Sequence, residues 1–362
     1  MNCDIIIPVF NELGITKNCI DSVLKNTDAS YRLIIIDNAS NPDTSAYLAS
    51  LKDAAPDFLL IRNEQNLGYV KAVNQGIKQG RADFVCLLNN DTIVADGWLS
   101  EMIEIADDNV DVGIVNPSSN TLAQSLPKGQ TVESYSRSLK SFKGKWGELG
   151  QCSGFCMLIK REVIEKIGLL DESYEVGYFE EADYCRRAQK AGYRFARAKA
   201  AYVYHIERYT FDKRADREEL FAKNRKLFES RWGESLRIAI IISKPPKDRI
   251  DKDEIEQIIL TSASENHRVY VLIEKNLIAK FNIAEHSNIL IFGFNGIFFP
   301  LICLFKIVAK KAPKRFNIIL ADDIVLFYIL KISVFVHKAK LLFNPHLERA
   351  IELSKKQAFQ GQ

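Results

Sequence analysis

The stretch that most restricts the fold is residues 83–92, Asp83-Phe84-Val85-Cys86-Leu87-Leu88-Asn89-Asn90-Asp91-Thr92, an apolar run that stops in a cluster of oxygen-bearing side chains. Phe84 to Leu88 has no polar interruption, which predicts a central strand covered on both faces. Strand alternation sets Asn89 and Asp91 on one side and Asn90 on the other, so one amide and one carboxylate can converge on a cation or a diphosphate. Hard oxygen donors suit Mg²⁺ or Mn²⁺, ions that usually bring phosphates with them. The plainer alternative is a strand that ends in a polar turn.

The neighbouring segments supply companions for that strand. Apolar runs at 3–9 and 31–36 predict two more buried strands, and 58–62 a short fourth. Helical spacing at 16–26, 44–51 and 70–80 separates them. Alternating strands and helices with polar residues at the strand ends predict a mostly parallel α/β sheet with a ligand crevice at those ends. No GxGxxG follows the first strand, which disfavours a nicotinamide or flavin enzyme. Residues 116–151 read as a long polar loop, either a lid or an acceptor-binding segment, with Trp146 as a stacking residue or a loop anchor. Glu180 and Glu181 open a helical run that closes at Gly192. Asp183 and Arg187 are spaced as a simple helix pair.

After a helix at 221–232 rich in Arg and Lys, the pattern restarts at Leu236. The chain therefore divides into a domain at 1–235 and a smaller, Rossmann-like α/β domain at 236–362. The second is expected to have helices at 252–264, 296–310, 323–333 and 345–357, and strands at 267–273, 289–292 and 316–320.

Length alone, 362 residues, also suggests two domains. The net charge of +3 is too small to make nucleic acid the expected partner. Seven cysteines without a CxxC pair fit buried, reduced thiols rather than a disulfide framework or zinc site. No basic-then-apolar leader opens the chain, so a cytoplasmic location is expected, with peripheral contact at the inner face of the cell membrane. The apolar run 289–305 is slightly short for a span and divides naturally into a strand and a helix.

Several fragments, taken in order and spacing, resemble glycosyltransferase family 2, the inverting nucleotide-sugar transferases with a GT-A fold, and within it the rhamnosyltransferase-like branch. They are Ile7-Pro8-Val9-Phe10-Asn11-Glu12, Ile36-Asp37-Asn38-Ala39-Ser40, Asn66-Leu67-Gly68-Tyr69 and Leu88-Asn89-Asn90-Asp91-Thr92. The resemblance continues through Gly154 to Arg161, Gly168 to Glu172, Phe179 to Arg187 and Val203-Tyr204-His205, and so covers about the first 235 residues. The second domain faintly resembles the N-terminal half of a GT-B glycosyltransferase. That implies interaction, homo-oligomer formation or acceptor presentation rather than independent catalysis.

The family resemblance implies transfer of a sugar from a UDP- or dTDP-linked donor to a hydroxyl of a glycan, lipid-linked or protein acceptor, in bacterial surface polysaccharide or glycoprotein synthesis. It implies a divalent metal, Mn²⁺ or Mg²⁺, held by Asp91 with His205 completing the shell. Asn89 stands where the family usually has an aspartate and brings no charge. The general base falls on Glu181 first, with Glu180 in reserve. Nucleotide and donor contacts fall on Pro8, Glu12, Asp37, Asn66, Gly68, Lys71, Asn89 and Asn90, and Gly154 leaves space for the sugar. The rival expectation is a non-catalytic nucleotide- or glycan-binding scaffold on the same fold.

Overall fold

The computed structural model describes residues 3–53, 57–175, 177–206 and 217–343, and these divide after Trp232 into two compact units. In the first unit, strand β1 (Cys3–Val9) leads through α1 (Leu13–Asn26) to β2 (Tyr31–Asp37), then α2 (Pro42–Ser50), β3 (Phe58–Arg62), α3 (Tyr69–Gln79) and β4 (Phe84–Leu88). These four strands are mutually parallel in the order β3-β2-β1-β4, with Val9 opposite Asp37 and Ile6 opposite Leu87. Their carboxyl ends therefore lie along one sheet edge, where open α/β sheets bind ligands.

The remaining elements close the other half of the sheet. They are β5 (Thr92–Val94), α4 (Trp98–Asp108), β6 (Val112–Ser118), α5 (Val132–Leu139), β7 (Trp146–Leu149), β8 (Cys156–Lys160), α6 (Arg161–Ile167), α7 (Glu180–Lys190), β9 (Arg194–His205) and α8 (Arg217–Trp232). The sheet has nine strands; β8 joins β4 antiparallel, and β9 carries β5 and β7 antiparallel. This is the mostly parallel α/β architecture expected of a GT-A domain.

β1 shows why both faces are covered. Cys3, Ile5, Ile7 and Val9 pack against α1 and α4, whereas Ile6 joins the opposite core with α3, α6 and α7. A β carbon at Gly76 would sit 2.5 Å from Ile6 Cγ2, so only glycine lets α3 lie this close to the sheet.

Residues 116–151 are more ordered than the sequence suggested. Within them α5 carries a capping box between Thr131 and Ser134, and β7 adds a strand to β9. Trp146 lies on that strand with the Arg194 guanidinium 5.2 Å from its ring centroid, and it packs against the core as an anchor. The polar turns on either side concealed two short elements.

The second unit is a five-stranded parallel sheet in the order β12-β11-β10-β13-β14. Its elements run β10 (Arg237–Ile242), α9 (Arg249–Ser264), β11 (Arg268–Glu274), β12 (Ile289–Phe294), α10 (Phe299–Val308), β13 (Ile318–Ala321), α11 (Ile324–Ile332), α12 (Val334–His337) and β14 (Lys340–Phe343). The run 289–305 does divide into a strand and a helix. α12 and β14 were not foreseen, and the helix expected at 345–357 lies outside the described residues. No described helix is long and apolar enough to cross a membrane. All seven cysteines are buried free thiols.

Candidate active site

The polar end of β4 is held before it can act. The Asn89 amide donates to the Phe155 carbonyl (2.8 Å), and its own carbonyl accepts from Thr92 Oγ1 (2.8 Å). Asn90 turns away, its Nδ2 donating to Thr16 Oγ1 (2.9 Å) on α1. This bond ties the turn after β4 to α1.

Asp91 faces the other way. Its Oδ1 lies 3.1 Å from His205 Nε2, because the antiparallel pairing of β5 with β9 sets Thr92 opposite His205. The imidazole is fixed from three sides. Nδ1 lies 3.0 Å from Thr121 Oγ1, the backbone of His205 exchanges bonds with the Asn120 side chain in both directions, and Phe155 stacks on the ring at 5.2 Å. Such outer contacts orient a metal-ligating histidine.

The pair fits an octahedral cation, whose neighbouring ligands at metal–oxygen distances of 2.0–2.1 Å stand about 3.0 Å apart. Among the described residues no cluster of three or more His, Cys, Asp or Glu side chains gathers. Two protein ligands are what Mg²⁺-type sites commonly use when phosphates and water supply the rest.

α7 begins with Glu180 and Glu181. The backbone that delivers them is left-handed at two bulky residues, Tyr178 (φ 70°) and Phe179 (φ 71°), a conformation that persists only where the surroundings enforce it. α8 supplies the enforcement. Phe221 packs on both aromatic rings and Phe228 on Phe179, while Asn224 Nδ2 donates to the carbonyls of Tyr174 and Gly177 (2.8 and 2.7 Å). Asp183, one turn further on, is consumed by Arg187 Nε and Trp232 Nε1, both at 2.8 Å, which bears out its reading as a helix pair and extends it.

Burial pushes the carboxyl of Glu180 well above the ordinary glutamate value, and the neighbouring Glu181 charge adds to the rise. Glu181 is raised as well, again through burial, and a hydrogen bond from Glu180 counters part of it. A helix N-terminus favours carboxylates by only about 0.3–1 kcal/mol when exposed, so desolvation wins here. One oxygen of each carboxyl is buried without a hydrogen-bond partner among the described residues.

Tyr69 joins the two sides. Its hydroxyl donates to the Gly154 carbonyl (3.3 Å), and burial, then the charges of Glu180, Glu181 and Asp91, hold its phenol well above the ordinary tyrosine value. A β carbon at Gly154 would lie 3.7 Å from Glu181 Cβ and 3.8 Å from the Tyr69 hydroxyl. Gly154 therefore borders the same space as Glu181 and Tyr69.

The strand-end loops form a third group. Asp37 is fully buried, with Oδ1 accepting from the Ser40 amide (2.8 Å) and Oδ2 paired with Arg62. Asn38, not singled out from the sequence, is the hub. It accepts from Asn63 Nδ2 and the Leu67 amide and donates to Asn66 Oδ1. The Asn66 oxygen also accepts from the Gly68 amide (2.9 Å), so it shapes the turn rather than reaching outward. Gly68 has φ 81° ahead of α3, a backbone few other residues adopt, and Lys71 is exposed in the first turn of that helix. Pro8 lies next to the end of β1, opposite Ile36. Glu12 begins α1 in a left-handed conformation (φ 55°), and the preceding Asn11 accepts from the Asn41 amide, tying the first two loops together.

Residues 4–168 match the family described as Glycosyl transferase family 2. Over 166 residues the chain is 30% identical to the poly-beta-1,6-N-acetyl-D-glucosamine synthase of Staphylococcus epidermidis, covering 45% of this chain and 40% of that one. It is 26% identical over 227 residues to an uncharacterized protein of Sinorhizobium fredii, covering 56% and 24%. The matches thus span less than half the length of these curated relatives. Among solved structures, S. aureus TarS 1-349 in complex with UDP-GlcNAc aligns with a TM-score of 0.49 at 14% identity, covering 74% of each chain.

Proposed function

We propose, from the premise that residues 4–168 are a glycosyl transferase family 2 domain, that the chain transfers a sugar from a nucleoside diphosphate to an acceptor hydroxyl with inversion. The observation that carries the reading is that Gly154 borders both Glu181 and the buried Tyr69 hydroxyl, whose phenol is raised by burial and then by the charges of Glu180, Glu181 and Asp91.

Glu181, beside Gly154, takes the proton of the attacking hydroxyl as a new bond forms at the anomeric carbon and the diphosphate leaves from the opposite face. Glu180 stays protonated through its deeper burial and steadies the Glu181 carboxylate by donating to it. Asp91 and His205 hold a divalent ion, Mn²⁺ or Mg²⁺, which when bound neutralises the departing diphosphate. The loops around Asp37, Asn38 and Gly68 form the floor for the nucleoside, with the Asp37–Arg62 pair fixing the end of β2. The donor class is a UDP- or dTDP-sugar, and the acceptor a glycan, lipid-linked or protein hydroxyl in a bacterial surface glycan.

The test is donor turnover. The full chain, given Mn²⁺ and a panel of UDP- and dTDP-sugars, is expected to release nucleoside diphosphate and to label an acceptor from a surface-glycan extract. Tight nucleotide binding without release or transfer across the panel would favour the scaffold alternative and sink this reading.

A further inference from the structure

Among the described residues the second unit leaves a broad apolar surface exposed, and we infer that this surface docks on an anionic lipid bilayer. The inference goes beyond the transfer reaction and does not depend on it. α10 buries Phe299, Cys303 and Ile307 and α11 buries Leu326 and Leu330 against the sheet, so each helix already has a satisfied inward side. Their outward sides are apolar too. Leu301 and Phe305 on α10, Val325, Tyr328 and Ile332 on α11, and Phe335 on α12 are between 55% and 77% exposed.

The three helices pack beside one another, so these residues belong to one region. A helix apolar all round is ordinarily covered all round, and a large exposed apolar patch marks a contact with protein or membrane.

Charge selects the occupant. Between Lys306 and Lys340 lie eight lysines and arginines against two acids, Asp322 and Asp323. Both acids are engaged locally: Asp322 holds Ser243 and the Lys244 amide, and Asp323 caps α11 and pairs with Lys244. Lys306 and Lys331 stand exposed on the apolar helices themselves. A second copy laid on this face about a two-fold axis would oppose like charges, whereas anionic headgroups neutralise them while lysine stems run along the apolar layer. With 10 and 9 residues, α10 and α11 are too short to cross a bilayer. They suit a position in the interfacial plane.

The experiment sediments the full chain with vesicles of phosphatidylcholine, or of phosphatidylcholine mixed with phosphatidylglycerol. Binding to the mixed vesicles, falling with added salt, is expected. Leu301→Ser/Phe305→Ser should lower the partition by about tenfold or more, and Lys306→Gln/Lys331→Gln by about fivefold per lysine on the mixed vesicles, with melting temperatures unchanged. Wild-type chain that sediments with neither vesicle, or a serine variant that binds as the wild type does, overturns the proposal. Loss of a dimer in the serine variant without vesicle binding would assign the face to a second copy. A fall in its melting temperature without vesicle binding would assign the face to cover within the chain. Either result also overturns the proposal.

Discussion

Each unit places a carboxylate just beyond a parallel strand, Asp91 after β4 and Asp322 after β13, and these two are spent differently. In the second unit Asp322 follows β13, and both its oxygens are taken by the Ser243 amide and hydroxyl and the Lys244 amide, which close the loop after β10. In the first unit Glu180 and Glu181 each keep a buried oxygen without a partner among the described residues, and Asp91 meets a histidine that can share a cation. A buried carboxylate satisfied by its own loop builds structure. One left short of partners costs stability.

The contrast can be broken or sharpened by substitution. The largest effect should come from Glu181→Gln, which removes the proton acceptor while keeping shape; turnover should drop by about 100- to 10,000-fold with donor binding retained. Retained turnover would strip the acidic pair of its role. Asp91→Ala should lower turnover by about 100- to 1,000-fold and raise the Mn²⁺ concentration needed for half-maximal rate, which a metal titration reads directly.

Asp322→Ala tests the structural side. It should destabilise the second unit by about 1–3 kcal/mol, read from its unfolding transition, and leave turnover intact below that transition.

Glu180→Gln should give the smallest effect, with a definite sign. A carboxyl raised in the folded state contributes stability at acid pH that is lost as pH rises through its folded value. The variant should therefore melt with the wild type near about pH 4 and above it by a few degrees near about pH 8, since about 1 kcal/mol moves a unit of this size by about 2–4 °C. Equal melting at both pH values would remove the claim that burial strains this group.

The strands and the site's first motifs were legible because they are local. β3 and β4 fall on the expected residues, and the polar turn with Asn89, Asn90 and Asp91 follows β4 directly. What the sequence hid is long-range. Arg62 meets Asp37 across 25 residues, Thr121 meets His205 across 84, and Trp232 meets Asp183 across 49. No periodicity records such partners. α8 shows the same limit: its Arg and Lys content described the solvent side, while Phe221, Asn224 and Phe228, which hold the start of α7, carry no local signal.

The antiparallel pairing of β5 with β9 has a consequence for how this chain can vary. Because strand side chains alternate, deleting a single residue between Asp91 and Val94, or just before His205, would rotate one member of the pair to the sheet's far side. Point changes around the cleft can retune it gradually, but length changes there act as an on–off switch. Insertions and deletions should therefore be tolerated in the surface turns and excluded from these few rungs of the ladder.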